Sequence, residues 1–157
     1  SEMLAKKDRV DANQVEAMQA NVCSIADGEG LCYDLSDTSS GNTLDAHRLL
    51  LWAQENGKGD ELLEAMYSGY FEKKQSLFTR EDLIAIAATV GISEAQVDSA
   101  ITSQEFANQV LSDQSQARQY GANGVPFFVI DNKYGISGAQ PQEVFDQTLT
   151  TALKERN

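Results

Sequence analysis

The run Val125-Pro126-Phe127-Phe128-Val129-Ile130 limits what this chain can fold into more than any other segment. It is continuously apolar and rich in aromatic and β-branched residues, the signature of a strand buried on both faces. Asp131-Asn132 reads as a tight turn, and Lys133 to Ser137 returns as a second strand in which Tyr134 and Ile136 alternate with polar neighbours. No other stretch makes a convincing strand. An isolated hairpin is marginal in water, so so apolar a strand expects neighbours on both sides. Either a second copy completes the sheet, or residues that belong upstream are absent. The chain begins at Ser1, without an initiator Met, and the strand deficit makes an excised fragment the expectation.

Everything before Gly121 reads as helix with short breaks. Asp11 can cap a helix with Gln14 at the capping-box position, and Val15, Met18, Val22 and Ile25 then follow at spacings of three and four. Gly28 and Gly30 end it, Leu31 to Leu35 is a short extended or irregular piece, and Asp37 to Asn42 is a polar loop. Asn42 or Thr43 caps a helix running to about Asn56; it is apolar on most sides and should be buried. Further helices are predicted over Asp60 to Lys74, from Thr79 to Gly91, from a Ser93/Gln96 capping box onward, and from Ser103 to Tyr120. Gly138 to Pro141 forms a turn into a closing amphipathic helix lined by Val144, Phe145, Leu149 and Leu153. The texture change divides the chain into a helical part, residues 1–121, and a strand–strand–helix part, residues 122–157.

A net charge of −12 opposes binding to phosphate backbones and anionic lipid surfaces, so neither nucleic acid nor membrane is an expected partner. No apolar run approaches the length of a membrane span. Six acids against the single base Arg80 between Thr79 and Gln116 read as a solvated helical face. Cys23 and Cys32 have neither Cys-x-x-Cys nor zinc-site spacing, and with one histidine they cannot supply four structural zinc ligands. Two unrelated reduced thiols are expected, although a helix end folding back could bring Cys23 and Cys32 within the roughly 7 Å between Cα atoms that a disulfide needs; no metal site and no cofactor are expected. The low cysteine content and absence of a visible signal segment point to the cytoplasm.

Gly124 to Ile130 followed by Gly135-Ile136-Ser137-Gly138-Ala139-Gln140-Pro141 resembles the C-terminal half of a DsbA-family thioredoxin domain. Asn42-Thr43 with Ala46-His47-Arg48-Leu49, Tyr70-Phe71, and Ala117 with Tyr120-Gly121 resemble the FrnE branch of that family. The resemblance runs from about Leu4 to Leu153. It implies an α/β thioredoxin-like fold of the DsbA type, here incomplete: a mostly helical insertion followed by the C-terminal hairpin and helix. The family's Cys-x-x-Cys motif, at the start of its first helix, has no counterpart in this sequence. The expected function is therefore that of a thiol–disulfide oxidoreductase whose catalytic residues are not in this chain, so that the chain alone is inactive. A glutathione-dependent isomerase or transferase of the 2-hydroxychromene-2-carboxylate isomerase and kappa-class type, and a non-enzymatic helical interaction module, are the alternatives.

The resemblance also singles out residues. It implies a cis Val125–Pro126 bond whose preceding backbone pairs with an extended substrate by strand addition, whereas the residues alone allow an ordinary strand-entry proline. His47, the only histidine, reads either as a core residue bonded to a backbone carbonyl or, with Asn42 and Thr43, as lining a cleft where an imidazole could move protons. Gly138, Ala139 and Gln140 read as a plain turn or as a small-residue loop suited to an anion, although Ala139-Gln140 departs from the Asp-Arg pair of the glutathione-using branch. Trp52, Tyr67, Tyr70 and Phe71 are expected to pack helix on helix. Partners are then a disulfide- or thiol-bearing protein or peptide, glutathione in the alternative, and a second copy meeting the exposed sheet edge.

Overall fold

A computed structural model describes residues 12–36 and 39–156. The predicted Asp11 cap and the beginning of the resemblance at Leu4 lie outside the described residues. The elements run α1 (Ala12–Gly28), α2 (Leu44–Glu55), α3 (Gly59–Tyr67) with a π-helical turn (Ser68–Glu72), α4 (Arg80–Thr89), α5 (Glu94–Thr102), α6 (Gln104–Gln119), β1 (Phe127–Ile130), β2 (Tyr134–Ser137) and α7 (Gln142–Arg156). The chain divides into two compact units, residues 1–108 and 109–157, the division falling within α6 upstream of the texture change at Gly121.

Four helices stop in the same way. Gly30, Gly57, Gly91 and Gly121 all take positive φ. In each case the residue after the glycine donates its N–H back across the last turn: Leu31 to Ala26 (2.9 Å), Lys58 to Ala53 (2.8 Å), Ile92 to Ala87 (3.0 Å) and Ala122 to Ala117 (3.0 Å). This is the glycine-terminated Schellman arrangement, which satisfies carbonyls that a helix end leaves orphaned. At α1 it returns the chain along the helix. Leu31 follows Ala26, which is buried, and Tyr33 to Ser36 then share a groove with Glu16, Gln19, Ala20 and Cys23.

The core of the first unit joins Ala46, Leu49 and Ala53 of α2, Leu62 and Met66 of α3, Leu83, Ile86 and Ala87 of α4, and Ile92, Val97 and Ala100 in and before α5. Helix α2 is not buried on all sides, as its composition suggested: Leu50, Leu51 and Trp52 are only half-buried, because the partner helices cover a single stripe. The helix predicted through Lys74 also ends early. After Tyr67 the hydrogen bonding lengthens to a π turn, with Lys73 N–H reaching the Ser68 carbonyl and Gln75 N–H the Gly69 carbonyl. Gly69 permits this, since a Cβ there would come within 2.8 Å of Gln75 Oε1 and 3.2 Å of Ile86.

In the second unit β1 and β2 pair antiparallel, Phe127 opposite Ser137 through Ile130 opposite Tyr134. Asp131 and Asn132 both have positive φ (55° and 53°), and Lys133 N–H donates to the Ile130 carbonyl at 3.1 Å, so the connection is a type I′ turn. Among the described residues this sheet has two strands. β1 is therefore not buried on both faces: Phe128 is 41% and Val129 36% exposed. Among the described residues of this unit, α7 packs on one face, where Phe145 meets Phe128 edge-on at 5.0 Å, and β2 pairs with one edge. Tyr120 donates to the Asn132 side chain at 2.8 Å, fixing the end of α6 to the turn.

Candidate functional site

The residues singled out by sequence fall into two groups, one in each unit. In the second unit, Gly124, Val125 and Pro126 lead into β1 and all are exposed, Val125 at 94%. The Val125–Pro126 peptide is cis. The Pro126 carbonyl accepts from Gly138 N–H at 2.9 Å, so the residues before β1 and after β2 are held side by side. Gly138 has φ +85°. Its own carbonyl accepts from Gln140 N–H at 3.0 Å, and the Gln140 side chain donates to the Ser137 carbonyl at 2.9 Å. Val144 N–H turns back to the Pro141 carbonyl, opening α7. The loop thus spends two of its N–H groups, those of Gly138 and Gln140, on itself, which argues against the anion-cradle reading. Val125, by contrast, offers its surroundings an exposed backbone beside a fixed proline.

In the first unit, Asn42 rather than Thr43 supplies the cap of α2: its Oδ1 accepts from Leu44 N–H at 2.9 Å, while Thr43 contributes its carbonyl to His47 N–H at 3.0 Å. His47 is exposed, so the core reading of this residue does not hold. It follows Ala46 by one residue, about 100° around the helix, and that step carries it off the stripe formed by Ala46, Leu49 and Ala53.

Cys23 and Cys32 are both free thiols; Cys23 is half-buried in the α1 groove, of about 240 Å³, and Cys32 is exposed. Among the described residues no three His, Cys, Asp or Glu side chains are grouped to hold a metal ion, and no helix is long and apolar enough to cross a membrane.

Three features escaped the sequence reading. Asp34 accepts from the Ser36 hydroxyl at 2.6 Å and the Ser36 N–H at 3.1 Å, and pairs with Lys74 at 2.9 Å. These donors, the Ser36 hydroxyl foremost and then Lys74, hold its carboxyl at about 2. The aromatics Tyr67, Tyr70 and Phe71 do not simply pack helix on helix. Phe71 stacks on Tyr33 of the return segment (4.9 Å, 13° between planes), Tyr70 meets Phe71 and Phe78 edge-on, and the Tyr70 hydroxyl donates to the Ser39 carbonyl at 2.9 Å. Arg80 forks onto both oxygens of Asp98 (2.6 and 2.7 Å) and reaches Glu94, which lowers the Asp98 carboxyl. The sign of that cluster was legible in the sequence, because Arg80 is the only base in an acidic stretch; the pairing was not.

The family model of the DSBA-like thioredoxin domain matches residues 2–150. The chain belongs to this family. A solved structure from Streptomyces coelicolor, described as a "probable DsbA oxidoreductase", is 41% identical and superposes with a TM-score of 0.89 over 99% of this chain and 67% of its own. A Nitrosomonas europaea structure described as a "putative protein disulfide isomerase" is 18% identical, with a TM-score of 0.71 over 94% of this chain and 78% of its own, a likeness of fold alone. No curated protein matches the chain. The fold is thus the DsbA-like thioredoxin fold, largely helical with a C-terminal hairpin and final helix, as its sequence resemblance implied. The family is of the thiol–disulfide oxidoreductase type.

Proposed function

We propose that this chain supplies the substrate-presenting side of a thiol–disulfide oxidoreductase of the FrnE branch, acting with a Cys-x-x-Cys dithiol that lies outside these 157 residues. The observation that carries the reading is Val125, 94% exposed immediately before Pro126 and held there by the Gly138-to-Pro126 hydrogen bond. An extended peptide laid along Val125 gains backbone hydrogen bonds with little demand on its side chains, which suits an enzyme acting on many disulfide-bearing proteins. A thiolate of the dithiol then attacks the nearer sulfur of the substrate disulfide, the other substrate sulfur leaves as a thiolate, and the second thiol resolves the mixed disulfide. The partner is a disulfide- or thiol-bearing protein or peptide. The glutathione reading is weaker, since the Gly138 and Gln140 N–H groups that would face an anion are already bonded within the chain.

Cys23 and Cys32 take no part in this chemistry: eight residues separate them where Cys-x-x-Cys has two, and neither starts a helix, Cys23 lying inside α1 and Cys32 in the irregular return. In an insulin-type turbidity assay the 157-residue chain should show no reductase turnover. Robust turnover that disappears in the Cys23→Ser, Cys32→Ser double variant would move the active site into α1 and overturn the proposal.

A further inference from the structure

We infer that Gln140 is a positioning residue for the strand entry at Val125, acting through the Ser137–Gly138 peptide plane. The inference rests on the peptide-docking reading of Val125 proposed above and adds a residue to that site. Continued one step past the Phe127–Ser137 pair, the β1–β2 register sets Pro126 opposite Gly138. Gly138 N–H donates to the Pro126 carbonyl at 2.9 Å, so this is a hydrogen-bonded position of the antiparallel ladder, where two residues normally exchange two bonds. Pro126 has no N–H to return. A single bond therefore fixes the strand entry at this end of the hairpin, and the direction of its one donor decides where Val125 and Pro126 sit.

That donor is free to turn unless something holds it. Gly138 has φ +85°, and without a Cβ its torsions are the least restricted in the turn. Gln140 restrains it from two sides. Its N–H donates to the Gly138 carbonyl at 3.0 Å, and its side-chain Nε2 donates to the Ser137 carbonyl at 2.9 Å. The Ser137 carbonyl and the Gly138 N–H belong to one planar trans peptide and point in opposite directions. Holding that carbonyl aims the N–H at Pro126. The bonds also run head to tail, from the Gln140 amide through the Ser137–Gly138 peptide to the Pro126 carbonyl, and the members of such a chain polarise one another. A Cβ on Gly138 would meet Gln140 Nε2 at 3.5 Å, so the side chain lies folded back over the turn. Its bonds are to the turn, and its effect on Val125 passes through Gly138 and Pro126. Gln140 is exposed, which puts a neutral hydrogen bond near the low end of the ordinary range, a roughly two- to fivefold effect on an equilibrium.

Titrating the isotope-labelled 157-residue chain with reduced, thiol-blocked insulin B chain tests this, with urea unfolding and Gly138 amide exchange followed on the same samples. Gln140→Met keeps the length of the side chain and removes the donor. It should weaken binding roughly two- to fivefold and speed Gly138 amide exchange by a similar factor, at an unchanged urea midpoint. Gln140→Arg carries its Nε–H the same number of bonds from the backbone as the Gln140 Nε2, and it should restore both. A Gln140→Met chain that binds as tightly as the unsubstituted one would overturn the inference and leave the docking reading of Val125 standing. So would a loss of binding that tracks a fall in the urea midpoint and that Gln140→Arg does not rescue, since Gln140 would then act on stability alone. An unsubstituted chain that does not bind the peptide would overturn the docking reading and this inference together, a result told apart from the others because it needs no variant.

Discussion

Gly41 passes so close to Phe78 that a Cβ would lie 2.5 Å from the ring's Cγ and 2.8 Å from its Cβ, atoms too near the backbone to swing aside. Gly41→Ala should therefore cost roughly 1–3 kcal/mol, the usual range for overpacking, read as a lower urea midpoint at unchanged slope. Nothing in the local sequence announces this contact, because Phe78 lies a helix pair away. The Asp34 carboxyl is a second residue-scale case. Its value of about 2 lies below the ordinary carboxylate range, so its interactions with Ser36 and Lys74 stabilise the fold fully above about pH 4 and are lost as pH falls toward 2. Ser36→Ala should raise the Asp34 midpoint toward the ordinary range, and Lys74→Met should raise it less, both followed by side-chain NMR titration. The cap of α2 was only half legible: Asn42 and Thr43 are both good cap residues, and the choice of Asn42 depends on backbone angles that the letters do not carry.

Helix starts and stops were the most readable part of the chain, since caps and glycines act within a few residues of themselves. Thr79 and Asp82 form a reciprocal capping box, each side chain accepting the other's N–H at 3.2 Å, and Ser93 donates its N–H to Gln96 at 2.9 Å. Thr79→Ala should cost about 1 kcal/mol in denaturant unfolding. Leu49 is fully buried where α2 meets the other helices, and Leu49→Ala should cost roughly 2–5 kcal/mol in the same measurement. What the elements hid was tertiary in origin. The π turn after Tyr67 follows from Gly69 closing on Ile86 and Gln75, not from a local signal. The half-exposed face of α2 depends on how many neighbours arrive, which a list of apolar residues in one helix cannot give. The burial of β1 was misjudged for the same reason, since its composition reports the sheet it suits rather than the two strands described here.

Taken as one molecule, the chain was recognisable from the Val125–Pro126 strand entry and the Gly138–Pro141 turn, which the fold brings side by side through a single backbone hydrogen bond. The helical segments contributed to the resemblance, but the chemistry they carry is harder to assign: His47 is exposed on α2, and Cys23 sits in a groove that it shares with Glu16, Tyr33 and Asp34. The account therefore rests on Val125 as the place where an extended polypeptide docks. Titrating an isotope-labelled sample with reduced, thiol-blocked insulin B chain and following backbone amide shifts tests that directly. The account predicts saturable shifts centred on Gly124, Val125 and Gly138, with the α1 groove around Cys23 and Tyr33 unmoved. Binding that shifts the groove and leaves Val125 in place, or no binding at all, would contradict it.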